Sequence, residues 1–386
     1  MASTKVFQST TIKAGFKLAA PRSTKFEWSI GFLLGVPISI PSPPLYWFAL
    51  LSFLAVLLRS RPKPIHSGVG REVKVILLIS LALLSSIFGL IKYDLDTVRI
   101  ITTSFFFLFL LAARFIHNKR AILEGFCCAM LMWAVMILPM AVYLQIFENG
   151  LLLFSVPDFR LWGQDFFPDW PNYIAFMLSL AFLLNAFVFK RPLTATIQII
   201  AAILTTSRTP FIALGFFFTT SALLWLSAYR RRWILILLGI TVLVCLTLPS
   251  MALLEIDSNF LDRLLVFEDR EDIYSFGLNL LAQSPYLGHG AILLDESIGF
   301  FGHPSFHNSY LDVSVRHGIF ALFLFLALII PSRTNLRQGG LKFLCVVMFV
   351  LIGSVFQNFL KHPHIILIYV IFIEAGAVFN DPVKRR

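Results

Sequence analysis

Apolar runs of about 15 to 25 residues follow one another along most of the chain, separated by short polar or basic stretches. A helix needs that length to cross about 30 Å of hydrocarbon, and in lipid a spanning segment must satisfy its own backbone hydrogen bonds. A soluble chain of 386 residues would give its helices polar faces, and these runs rarely have one. Composition agrees: 58% of the residues are hydrophobic, 14% are charged and 41 are phenylalanine, where soluble domains carry about 25% charged residues. Spans are expected at about 27–40, 44–58, 73–91, 98–116, 121–147, 171–189, 192–207, 209–228, 233–253, 309–330, 341–357 and 364–380. The first two are short and flank PSPP, which suits a paired hairpin or a re-entrant segment.

The net charge of +11 is distributed as a topology signal, in short clusters between the apolar runs, which argues against a nucleic-acid partner. Counted over alternate loops, 24 of the 32 Lys and Arg fall on the side of the N-terminal tail, 59–74, 114–120, 190–191, 230–232, 333–342 and the terminal KRR. The other eight are Lys92, Arg99, Arg160, Arg208, Arg263, Arg270, Arg316 and Lys361, and 16 of the 21 acidic residues share their side or its edge. This bias places both termini in the cytoplasm, and twelve spans satisfy the alternation. Cys127, Cys128, Cys245 and Cys345 all sit inside apolar runs and read as buried thiols without a disulfide framework. The basic start MASTKVFQSTTIKAGFKLAAPRSTKFEW lacks the immediate apolar core and cleavage site of a signal peptide, so a retained tail is expected. The organisation expected is a basic tail over 1–26, membrane helices over 27–147, a region bearing the polar motifs over 148–330, and closing helices with a cytoplasmic tail over 331–386.

Two outer loops are long, 148–170 and roughly 254–308, the latter between spans nine and ten. Within the second, DREDIYSFGLNLLAQSP reads as a short helix with Asp269 as its cap and Ile273, Phe276 and Leu280 as one apolar stripe, suited to lying on the membrane surface. Six of the eight histidines (His289, His303, His307, His317, His362 and His364) fall on this outer side. Arg208 stands inside the apolar stretch Pro192–Tyr229, whose 38 residues would make a helix about 57 Å long, so the chain must turn back near Ser207–Pro210. An arginine at such a turn points to water or a charged ligand reaching it. His307 and Asn308 stand where the outer loop meets a span, with Arg316 and His317 one to two turns further in. His303 and His307 are four apart, but Pro304 interrupts a helical pair and no carboxylate or cysteine completes a metal-ligand spacing.

HNSYLDVSVRHGIFA resembles the motif of lipopolysaccharide O-antigen ligases, in which His and Asn are separated by nine residues from a Gly; His307, Asn308 and Gly318 match, and Ala321 departs from the family's preferred Gly, Thr or Tyr. Ser207–Arg208 resembles the superfamily's SR element, and Arg160, Gly163 and Pro171–Asn172 resemble the element before a span. SPYLGHG resembles the glycine pair ahead of the HN motif, through Gly288 and Gly290, and Arg270 is placed like the arginine that opens the loop helix in relatives. The resemblance covers roughly residues 155–330. It implies a membrane glycosyltransferase (GT-C-like) fold acting at the periplasmic face of the bacterial inner membrane, with no metal or other cofactor. The implied donor is a glycan on undecaprenyl diphosphate, and the implied acceptor is lipid A–core or another lipid-linked repeat. It implies His307 as base and Arg208 and Arg270 as the groups facing the diphosphate. Arg160, Arg263, Asn308, His303 and Arg316 are then expected to contact substrate. Arginine's planar fork suits phosphate, and a histidine near neutrality suits proton removal from a hydroxyl. Ligase and polymerase both fit, and a twelve-span transporter or flippase of lipid-linked glycans is the alternative from another class.

Overall fold

The computed structural model describes residues 24–36, 70–90, 118–147, 171–205, 268–291, 306–356 and 363–380, with parts of 212–222 and a few single positions. The expected span 233–253, the loop 148–170, and the greater part of the expected spans 44–58 and 98–116 and of the loop 254–308 lie outside the described residues. Every regular element among the described residues is helical. In chain order these are α1 Thr24–Gly35, α2 Gly70–Leu90, α3 Lys119–Phe147, α4 Pro171–Leu184 with a π turn Asn185–Phe189, α5 Pro192–Leu204, α6 Glu268–Gln283, α7 Ser309–Ile329, α8 Arg333–Phe356, α9 Pro363–Ile373 and α10 Gly376–Asn380. Lys119–Met140, Asn172–Phe189, Ser309–Ile329 and Arg333–Phe356 are each long and apolar enough to cross a membrane. Shorter apolar helices cover Val73–Gly89, Pro192–Leu204 and Ile212–Ala222, so the long apolar stretch around Arg208 breaks between Leu204 and Ile212.

The exposed surface of α2 shows which solvent the fold meets. Val75, Leu78, Ala82, Ser85 and Gly89 form its buried stripe, while Ile76 and Phe88 are 58% and 52% exposed. A helix with apolar residues on its outward face as well as its inward one is covered by lipid. Helices α1 and α3 cross so closely that a Cβ on Gly31 would lie 1.9 Å from the Ile122 carbonyl oxygen. The GFLLG of α1 has the small-xxx-small spacing that permits such contact where no hydrophobic driving force separates helix from lipid.

Helices α4 and α5 form a hairpin turned at Lys190, whose φ is +55°, with Pro192 at the first helical position of α5. Two buried amides hold it to α3: Asn185 Nδ2 donates to Gln198 Oε1 at 2.8 Å, and Gln198 Nε2 donates to the Cys127 carbonyl at 2.9 Å. Near the turn, Arg120 and Arg191 both lie over the Phe189 ring and both approach Glu124. Helices α7 and α8 run antiparallel, and Phe176 of α4 stacks on Phe349 of α8 at 4.6 Å between ring centroids.

Three expectations change. The basic stretch 333–342, expected to be a loop, is the start of α8, bent at Gly340 where φ is +62°. The run 364–380 is two helices broken at Glu374, whose carboxylate accepts from Asn335 Nδ2 at 3.0 Å. The run 309–330 is broken at Gly318, where φ is +82° and ψ is 174°. Among the described residues Cys127, Cys128 and Cys345 are free thiols.

Candidate functional site

The break in α7 is made by the chain that follows α6. In an unbroken helix the carbonyls of Val315 and Arg316 would accept from amides one turn on. Here His289 N–H donates to the Val315 carbonyl at 2.9 Å, Gly290 N–H to the Arg316 carbonyl at 2.7 Å, and Ile319 N–H to the Pro285 carbonyl at 2.8 Å. The segment SPYLGHG therefore supplies what the broken helix loses, a condition for any helix break within lipid. The approach is between backbones. A Cβ on Gly318 would lie 1.9 Å from the Tyr286 carbonyl oxygen, one on Gly288 2.5 Å from that of Arg316, and one on Gly290 2.6 Å from that of Ser85. Two histidines close the junction: His289 Nε2 bonds the Leu280 carbonyl at 2.7 Å, and His317 Nδ1 bonds Ser85 Oγ of α2 at 2.8 Å.

At the start of α7 the sequence supplies an N-cap. Asn308 Oδ1 accepts from the amides of Tyr310 at 2.9 Å and Leu311 at 3.0 Å, and Asp312 sits in the first turn, where the helix dipole favours an anion. Before it, His307 is held at φ +51°, a left-handed conformation that costs a non-glycine residue about 1–3 kcal/mol. Its neighbours hold it there: Phe306 is fully buried and Asn308 is locked by the cap. The half-buried imidazole thus projects from a backbone fixed on both sides.

Helix α6 packs on this first half of α7. Ile273 and Leu280, with Phe276 beside them, meet Phe306, Leu311 and Val315, and Gly277 leaves room for Leu311 and Phe306. The expected stripe is real, and α7 covers it. The helix begins at Glu268, so Asp269 is inside the first turn and is not the cap. Arg270 stands in that same first turn. At the start of α4, Ser207 Oγ donates to Asn172 Oδ1 at 2.6 Å. That bond joins residues 35 apart, Asn172 in the first turn of α4 and Ser207 of the Ser207–Arg208 element.

Residues 193–326 match the model of a family described as O-Antigen ligase. The match covers about a third of the chain and is a similarity of this region to that family. No curated protein matches the chain. The matched residues include the glycines of the junction, nearly all of α5, α6, His307 and Asn308, whereas Asn172, α4 and α8 lie outside the match.

Of the residues read from sequence, the structure brings His307 and Asn308 beside α6, on which Arg270 stands. Arg160, Arg208, Arg263 and His303 lie outside the described residues. Arg316, expected to contact substrate, is 2% exposed and donates from Nε to Asp312 Oδ1 at 3.1 Å. Its charge is used one turn back along α7, and removal of either partner would leave the other buried. The i,i+4 spacing of Asp312 and Arg316 within an apolar run was the available signal for this pair. Three tyrosines were also missed. Tyr310 Oη donates to the Leu351 carbonyl at 2.7 Å, Tyr274 Oη to that of Val355 at 3.2 Å, and Tyr173 Oη to that of Asn358 at 3.1 Å. A buried tyrosine needs a partner for its hydroxyl. Among the described residues no group of three His, Cys, Asp or Glu side chains is placed to hold a metal ion.

The cap separates two roles for Asn308. Asn308→Ala is expected to destabilise the domain by about 1 kcal/mol, while Asn308→Ser, which keeps a capping oxygen, stays within a few tenths. If Asn308→Ser is stable in a thermal-unfolding assay but slow in transfer, the lost Nδ2 donors serve substrate.

Proposed function

We propose that this chain transfers a glycan from undecaprenyl diphosphate to a lipid-linked acceptor or to lipid A–core, at the periplasmic face of the bacterial inner membrane. In this reading the chain has twelve spans, both termini are cytoplasmic, and the loop 254–308 is periplasmic. The observation that carries the reading is the gathering of motif elements at one end of the bundle. Asn172 with Ser207, the helix bearing Arg270, and the His307–Asn308 start of α7 are all tied there. The Arg120–Arg191 cluster sits at the other end of α4. A polar end facing outward and a basic end facing the cytoplasm fit the charge bias.

The chemistry follows from the groups. The acceptor hydroxyl oxygen forms a bond to the anomeric carbon as the bond from that carbon to the diphosphate oxygen breaks. The hydroxyl proton passes to the His307 imidazole, and the departing diphosphate keeps the electron pair. Arg208 and Arg270 meet its growing charge with bidentate donors that stay protonated. Arg160, Arg263 and His303 line the approach. Attack opposite the leaving group inverts the anomeric carbon in one step, without metal or nucleotide cofactor.

Lysine at Arg208 or Arg270 keeps the charge and loses the fork, so each variant is expected to fall by about 10²-fold in transfer at normal abundance. Glycan profiling of a deletion strain complemented with each variant reads this directly. Loss of all polymer from the core marks a ligase, and a single repeat left on the core marks a polymerase. Unchanged linkage with lipid-linked glycan trapped in the cytoplasmic leaflet would contradict glycan transfer and favour a flippase.

A further inference from the structure

The end of α8 is the common attachment point of the site. Helix α8 stops at Phe356, so the carbonyls of its last turn, Val355 among them, have no amide further along the helix. Where water is scarce such carbonyls take partners from other segments. The three acceptors are the carbonyls of Leu351 and Val355, near the end of α8, and of Asn358, which follows it. Their donors come from three different segments: Tyr310 of α7, Tyr274 of α6 and Tyr173 of α4.

Each tyrosine lies close in the chain or through one hydrogen bond to the segment that carries a residue of the proposed reaction. Tyr173 follows Asn172, which is bonded to Ser207, the neighbour of Arg208. Tyr310 lies three residues after His307, and its own amide is held by the Asn308 cap. Tyr274 lies one helical turn after Arg270. The Ile273–Leu280 stripe meets Phe306, Leu311 and Val315, and the backbone bonds of SPYLGHG tie the C-terminal end of α6 to α7. The bond from Tyr274 to α8 adds a directional tie at the other end of α6, one turn from Arg270.

We infer that Tyr274 is a positioning residue for transfer: its hydroxyl, bonded to the Val355 carbonyl, sets where α6 places Arg270 relative to His307. The functional unit then reaches beyond the matched residues 193–326 to include the end of α8. This rests on the proposed role of Arg270, and the test separates the two.

Tyr274→Phe keeps the ring and removes only the bond. Transfer is measured with membranes of a deletion strain complemented at matched abundance, using as donor and acceptor the lipid extract of the uncomplemented strain. Tyr274→Phe is expected to lower kcat/KM by about 10- to 100-fold with unchanged thermal stability, since a misplacement near 1 Å costs that order. The same substitution made in Arg270→Lys is expected to add less than about 2-fold, because the group it positions has already lost its fork. Equal losses in both backgrounds would show that Tyr274 acts independently of Arg270 and would overturn the inference while leaving the Arg270 reading intact. Full activity of Arg270→Lys would remove the Arg270 reading and the inference with it. Full activity of Tyr274→Phe, or its failure to accumulate, would also overturn the inference.

Discussion

Gly318→Ala is expected to abolish accumulation of the protein in the membrane, or to leave a product without transfer activity. Two costs coincide at this position. The backbone sits at φ +82°, and the added methyl would stand 1.9 Å from the Tyr286 carbonyl oxygen and 2.3 Å from its carbon. Neither neighbour is the end of a flexible side chain. Relief would require pulling SPYLGHG away from α7, which breaks the bonds from His289, Gly290 and Ile319 that satisfy the broken helix. A conformation of this kind costs a side chain about 1–3 kcal/mol, and overpacking adds about as much again. A domain whose whole stability is about 5–15 kcal/mol feels that loss. Gly215→Ala is the control, because a Cβ there meets nothing within 4 Å, and it is expected to leave abundance unchanged. Immunoblotting of membrane fractions after a thermal challenge checks both. Normal stability of Gly318→Ala would mean that the backbone junction is not closed as described.

The parts of the fold legible in the sequence were those with a period or a length. The helices over 70–90, 119–147, 171–189 and 309–329 follow from apolar runs long enough to span, and the Ile273–Leu280 stripe follows from its spacing. What the stripe packs against was not legible, because an apolar face suits lipid and protein equally. The break at Gly318 was visible only as a motif glycine, since neighbouring Ile319–Ile330 reads as uninterrupted span. Its cause lies in backbone groups of 285–290, which carry no side-chain signature. A charge in an apolar run suggests a ligand for Arg316, and the fold adds a buried carboxylate partner, Asp312, one turn back. Asn308 was read as a contact for substrate, and its carbonyl oxygen is occupied by the cap. The pairing of Ser207 with Asn172 joins elements far apart in sequence, and only the fold brings them into contact.

His307 carries the largest expected effect on chemistry. Its backbone is held in a left-handed conformation between a buried phenylalanine and a capping asparagine, and conformations of this cost persist where the surroundings over-determine them. A histidine so placed presents its imidazole without the entropy of a free loop. As the base that takes the hydroxyl proton, it is expected to contribute on the order of 10²–10⁴-fold. His307→Ala should therefore lose transfer by that factor with membrane abundance near normal, since the side chain is only half-buried. The most direct measurement is the rate of glycan transfer by His307→Gln from about pH 6 to 8, the range in which an unperturbed imidazole changes charge. Glutamine can still hydrogen-bond but cannot take the proton. A loss of at least about 10²-fold across that range, with the wild type's pH dependence removed, is the result predicted. Retention of most activity by the glutamine variant at every pH would contradict base catalysis by His307 and leave it a positioning role.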